Sequence, residues 1–172
     1  MKSLVVFESL WGNTEIVARA IAEGLAPLGD VQVLDVTSAP AVPEGIDLIV
    51  AGGPTHAFSL SRLGTRESAA NQGASHGSTA FGLREWLEAL PEGQHSERIA
   101  TFDTRIDKTR LLPGSAAKGA VRIARKHGFE AVGHSESFFV EAIPGPLIDG
   151  EIERARAWGS DLGHVLADGQ ET

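Results

Sequence analysis

Short apolar runs of strand length recur along this chain with helix-spaced segments between them, and this alternation limits its fold more than any other feature. The runs are Leu4 to Phe7, Val31 to Val36, Asp47 to Ala51, Arg98 to Phe102 and Glu130 to Val140. From Thr14 onward, Ile16, Val17, Ala20, Ile21, Gly24, Leu25 and Leu28 keep the rhythm of one helical face, and Gly29-Asp30 supplies a stop. Phe81, Leu83, Trp86, Leu87 and Leu90 repeat the spacing, which places Trp86 in the core. A small-sided helix is expected from Ser115 to Lys126, broken by Gly128. A last helix is expected to start at Asp149 as N-cap, with Ile152, Ala155, Trp158, Leu162 and Val165 on its buried stripe. Strands joined through helices make right-handed crossovers, so the sheet must be parallel with both faces covered.

Two connections depart from that plan. The link TSAPAVPEG, Thr37 to Gly45, is too short and too rich in proline for a helix. The segment from Pro54 to Ser78 is too long for an ordinary connection and rich in Ser, Gly, Ala and Asn, so it reads as a functional lid or mobile loop. The 172 residues, 42% of them hydrophobic, suit a single domain, 1–172.

Composition removes several classes of function. A net charge of −8 gives no electrostatic footprint for nucleic acid or an anionic membrane, and favours a partner with a basic docking face. With no cysteine, disulfides, thiolate metal sites and cysteine nucleophiles are excluded. No apolar stretch approaches the ~20 residues of a membrane span, and the opening MKSLVVFES is too weak for a signal peptide, so a soluble, cytoplasmic protein is expected. The six histidines show no metal-ligand spacing, and only His56 holds a position suggesting function. Gly73-Ala74-Ser75-His76-Gly77 matches the pattern of a hydrolase nucleophile elbow, but an elbow must follow a strand and the residues before this one are polar. A phosphoacceptor receiver domain needs an aspartate where this chain has Gly52-Gly53.

The turn after the first strand carries the strongest chemical signal. In Ser9-Leu10-Trp11-Gly12-Asn13-Thr14 a glycine sits between a strand and a helix, so backbone N–H groups converge at the positive end of the helix dipole and form a nest for an anion. Ser9, Asn13 and Thr14 add neutral donors. A second turn, Gly52-Gly53-Pro54-Thr55-His56-Ala57-Phe58, follows the third strand, and a third, Thr101-Phe102-Asp103-Thr104-Arg105, follows the fourth.

The first turn resembles the FMN-phosphate loop of the flavodoxin family, Ser/Thr-x-Thr-Gly-Asn-Thr, with Trp11 in place of the usual threonine. The second is similar to the flavin-binding loop of flavodoxins and flavodoxin-like quinone reductases. The resemblance implies a three-layer, doubly wound, parallel five-stranded sheet of order 2-1-3-4-5, with FMN held at the strand ends by Ser9 to Thr14, Pro54 to Phe58 and Phe102 to Arg105. His56 and Phe58 are the better candidates to stack on the ring, since Phe102 reads equally well as a core residue, and Arg105 is a candidate partner for the flavin's pyrimidine edge. It further implies electron transfer between protein partners, with no catalytic side chain required. One alternative is an FMN-dependent NAD(P)H:quinone oxidoreductase with Arg62 and Arg66 of the long segment over the flavin. Another is a binding module that has lost its flavin.

Overall fold

The computed structural model describes residues 1–169. Strand β1 (Lys2–Phe7) leads through helix α1 (Asn13–Leu25) to β2 (Asp30–Asp35), and β3 (Leu48–His56) follows without an intervening helix. A short β4 (Ser59–Leu60) and helices α2 (Leu63–Asn71) and α3 (Leu83–Glu88) precede β5 (Arg98–Ile106). The chain continues through α4 (Ala116–Lys126), β6 (Glu130–Ala131), β7 (Glu136–Val140) and α5 (Glu151–Asp168). The main sheet is parallel in the order β2-β1-β3-β5, with β6 and then β7 alongside β5.

Period-2 alternation along the central strands sorts the core into two halves. Val5, Phe7, Leu48 and Val50 meet α1 and α5 on one face, while Leu4, Val6, Ile49 and Ala51 meet α3 and α4 on the other. Helices α1 and α5 lie close because both carry glycine at the crossing: a Cβ on Gly24 would come within 2.0 Å of Arg156 O, and one on Gly159 within 2.2 Å of Ile21 O. Trp86 is buried, and its Nε1 donates to Pro40 O at 3.0 Å, tying down the helix-free link between β2 and β3.

Several expectations need correction. The run Glu130 to Val140 is not one strand: it carries two more residues than the stretch of β5 it faces, and the excess is taken up around Gly133 between β6 and β7. Helix α5 starts at Glu151 behind Gly150 in the left-handed region, so Asp149 is not its cap. Trp158 is half-buried, packing edge-on against Phe102 and Phe138. The largest difference lies in 54–71, which is built structure and not a loop: β3 runs on to His56, β4 pairs back antiparallel, and α2 follows, leaving 72–82 irregular. Helix α2 buries only Arg66 and Ala69, so it shows no apolar stripe in the sequence.

Candidate functional site

The turn between β1 and α1 has the geometry of an anion nest. Gly12 sits at φ 90, ψ −17, and no side chain caps the helix. The Gly12 amide donates to Ser9 Oγ at 3.1 Å, and Ile16 N is the first amide to close onto the turn, at Gly12 O. The amides of Asn13, Thr14 and Glu15 between them point out of the helix end.

The neutral side chains of this loop hold its shape. Asn13 Nδ2 donates to Pro144 O at 2.6 Å, and Thr14 Oγ1 pairs with Thr104 Oγ1 at 2.7 Å, tying α1 to β5. Ser9 is buried, its Oγ accepting from the Gly12 amide within the turn. The unpaired amides of the helix end are the backbone donors the turn offers an anion.

From this loop a cleft opens at the carboxyl ends of the strands. A small lobe of about 70 Å³ is lined by Leu10, Trp11, Asn13, Thr14, Pro54 and Thr104, with Ala142, Ile143 and Pro144 as a wall the sequence reading did not include. A larger lobe of about 320 Å³ continues past Trp11, Thr55, His56, Ala57, Phe58 and Arg105 to Thr65, Ser68 and Gln72 of α2. That is within the size range of small-molecule sites. The two lobes share Trp11, Thr55, His56, Arg105, Ile106 and Ile143.

The far wall is a strained hairpin. Thr55 pairs with Leu60 and His56 with Ser59, leaving a two-residue turn whose residues, Ala57 at φ 47 and Phe58 at φ 64, both sit where glycine or asparagine is usual. Phe58 is 50% exposed at the cleft mouth. Thr55 Oγ1 accepts from Ala116 N at 2.9 Å, anchoring the hairpin to the start of α4. Burial, reinforced by the charge of Arg66, holds the His56 imidazole below its usual pKa, so it is kept neutral.

Behind the hairpin lies a buried polar network. Arg66 is 0% exposed and donates to Ser61 Oγ at 2.9 Å, Thr79 O at 2.8 Å and Glu85 Oε1 at 2.9 Å. Glu8 accepts from Ser61 Oγ and, at 2.7 Å, from Leu83 N. Burial pushes the Glu8 carboxyl up, and the Ser61, Leu83 and Arg66 contacts pull it partly back. A Cβ on Gly82 would lie 2.6 Å from Arg66 Nη1 and 2.7 Å from Glu8 Oε2, so glycine is needed for the network to close. Arg66 thus holds α2 in place and does not face a substrate, and neither it nor the exposed Arg62 lines the cleft.

Two of the expected cofactor residues lie under the site. Phe102 is 0% exposed, its ring beneath Gly52, where a Cβ would come within 2.2 Å of it. Asp103 is buried with Oδ2 accepting from Ala117 N at 2.9 Å, and burial raises its pKa. The length of the strand explains both, since β5 continues past them and brings Thr104, Arg105 and Ile106 to the cleft. One residue the sequence reading gave no function lies at the nest. The His76 amide donates to Leu10 O at 3.2 Å, and its ring stands 3.7 Å from the point where a Gly12 Cβ would be. The Gly73 to Gly77 stretch follows α2, not a strand.

These features define a doubly wound α/β protein with a cleft at its switch point, between β1 and β3. The fold is flavodoxin-like. Flavodoxin 2 from Bacillus cereus superposes with a TM-score of 0.67 at 18% identity, over 98% of this chain and 99% of that one. A flavodoxin from the domain Archaea gives 0.64 at 18% identity, over 97% and 99%. A flavodoxin, WrbA-like protein from Agrobacterium tumefaciens gives 0.60 at 19%, over 97% and 98%. No family model matches the chain, and no curated protein is similar enough in sequence to match it.

Proposed function

We propose that this chain binds FMN noncovalently and acts in electron transfer. The observation that carries the reading is the uncapped, glycine-turned start of α1 opening directly into the cleft. An amide cluster suits a terminal phosphate, and the larger lobe beyond it, edged by Trp11, His56 and Phe58, suits a flat ring. FMN, when bound, would supply the redox chemistry.

The protein's part is position and environment. The amides of Asn13, Thr14 and Glu15 receive the phosphate, while the Ser9, Asn13 and Thr14 side chains keep them aligned. Ile143 and Phe58 give the cleft mouth an apolar edge, and His56, its pKa lowered by burial, adds a polar one. With a net charge of −8, redox partners with a basic docking face fit best, and the absence of cysteine suits a reducing cytoplasm.

The extension of the larger lobe to Thr65, Ser68 and Gln72 favours a second reading, an FMN-dependent NAD(P)H:quinone oxidoreductase with room for a substrate beside the ring. Fast NADH or NADPH oxidation with a quinone acceptor would select it. Trp11 tests the shared premise, because it lines both lobes while Trp86 is buried elsewhere. Saturating FMN should quench most of the emission that Trp11→Phe removes. Unchanged emission would contradict binding at this cleft.

A further inference from the structure

Arg105 is the one guanidinium that lines both lobes of the cleft, and its surroundings do not neutralise it. It is 7% exposed. Nη2 donates to two carbonyls, Thr109 O at 2.6 Å and Leu112 O at 3.3 Å, and Nε has no partner. Among the described residues no carboxylate forms an ion pair with it. Asp107 is paired with Arg110 at 3.2 Å. Asp103, two residues back on β5, makes no ion pair with it, and burial raises the Asp103 pKa more than the charge of Arg105 pulls it down. The other polar side chains of the larger lobe, Thr55, His56, Thr65, Ser68, Gln72 and Thr109, bring no negative charge.

A guanidinium does not shed its proton, so a buried one must be matched by an anion or a dense set of acceptors. Two carbonyls and an orphan Nε fall short of that in a chain carrying eight excess negative charges. The cleft therefore has two features that attract negative charge, the amide nest in the small lobe and Arg105 where the two lobes meet. The first suits a phosphate. The second reaches the ring-sized lobe, where no other side chain carries a full charge.

We infer that Arg105 is the counter-ion of the reduced flavin, making the cleft hold the anionic two-electron-reduced ring more tightly than the neutral oxidised one. This rests on the FMN reading above. Two electrons and one proton convert the neutral ring to an anion whose charge is shared between N1 and the neighbouring carbonyl oxygen, and a cation beside that edge favours the product. By linkage, tighter binding of the reduced form raises the potential of the bound cofactor. The chain's net negative charge acts in the opposite direction, but its surface charges are screened by solvent and salt whereas Arg105 is buried.

The test is the midpoint potential of bound FMN in dye-equilibrated dithionite reductions of wild type, Arg105→Lys and Arg105→Gln, with the dissociation constant of oxidised FMN measured alongside. Arg105→Gln should lose at least tenfold of the preference for reduced over oxidised FMN, a fall of about 30 mV in the two-electron potential. Arg105→Lys, which keeps the charge, should retain most of it. An unchanged potential in Arg105→Gln, equal weakening of both redox forms, or a fall in Arg105→Lys as large as in Arg105→Gln would each overturn the inference. If the glutamine variant does not fold, the lysine variant still decides: its potential must stay nearer to wild type than to free FMN. Wild type that binds no FMN would instead overturn the reading on which this depends.

Discussion

The two ends of the cleft are built by opposite means. The nest is made by consecutive residues, Ser9 to Thr14, whose backbone turns at one glycine and whose side chains brace the turn. The other end is assembled from a hairpin, a polar helix and the end of β5, and it is held from behind by one fully buried arginine. A site made of local backbone geometry depends on a few dihedral angles. One made of distant segments depends on the side chain that joins them.

That contrast breaks most visibly at Arg66. Arg66→Ala would leave Glu8 and Glu85 without their cation inside the protein, at a cost of about 3–5 kcal/mol in stability, read from the denaturant midpoint. Because it loosens α2 and the hairpin, it should weaken riboflavin and FMN alike. A loss below ~1 kcal/mol would show that the wall does not depend on this network.

Gly12→Ala probes the other end. There is room for the added carbon, since the nearest atoms are His76 ring atoms at 3.7 Å, so the cost comes from φ 90 alone, about 1–2 kcal/mol. If the turn relaxes, the amides lose their aim. FMN affinity should fall by about tenfold while riboflavin affinity stays the same, the reverse of the Arg66 pattern. Equal effects on both ligands would erase the distinction between the two ends.

The smallest effect is expected at the hairpin tip. Ala57→Gly relieves roughly 1–2 kcal/mol of left-handed strain but gives back about 0.4–1 kcal/mol through the freer unfolded chain. A net gain of about 0.5–1 kcal/mol should appear as a higher melting temperature. A loss would mean that the turn is not strained at this residue.

The same contrast explains what could be read in the sequence. The parallel sheet, the missing helix between β2 and β3 and the turn after β1 were legible, because each is written in contiguous residues: apolar runs, prolines, a glycine between a strand and a helix. Helix α2 was not, because its anchor is a charged side chain whose partners include Thr79 and Glu85, well beyond the helix. Phe102 and Asp103 were assigned to the cleft because the strand was expected to end at Phe102, whereas it runs on to Ile106, so that of the residues expected from this turn only Thr104 and Arg105 reach the cleft. The wall at Ile143 and Pro144 and the approach of His76 to Gly12 are long-range contacts with no local signature.

The central claim is that the start of α1 is a phosphate site serving a flavin cleft, and calorimetric titration of the wild-type protein with FMN and with riboflavin tests it most directly. Both ligands carry the same ring and differ by the phosphate. Several charge-assisted amide contacts should make FMN bind more tightly by at least about tenfold. Equal affinity for the two would contradict the claim.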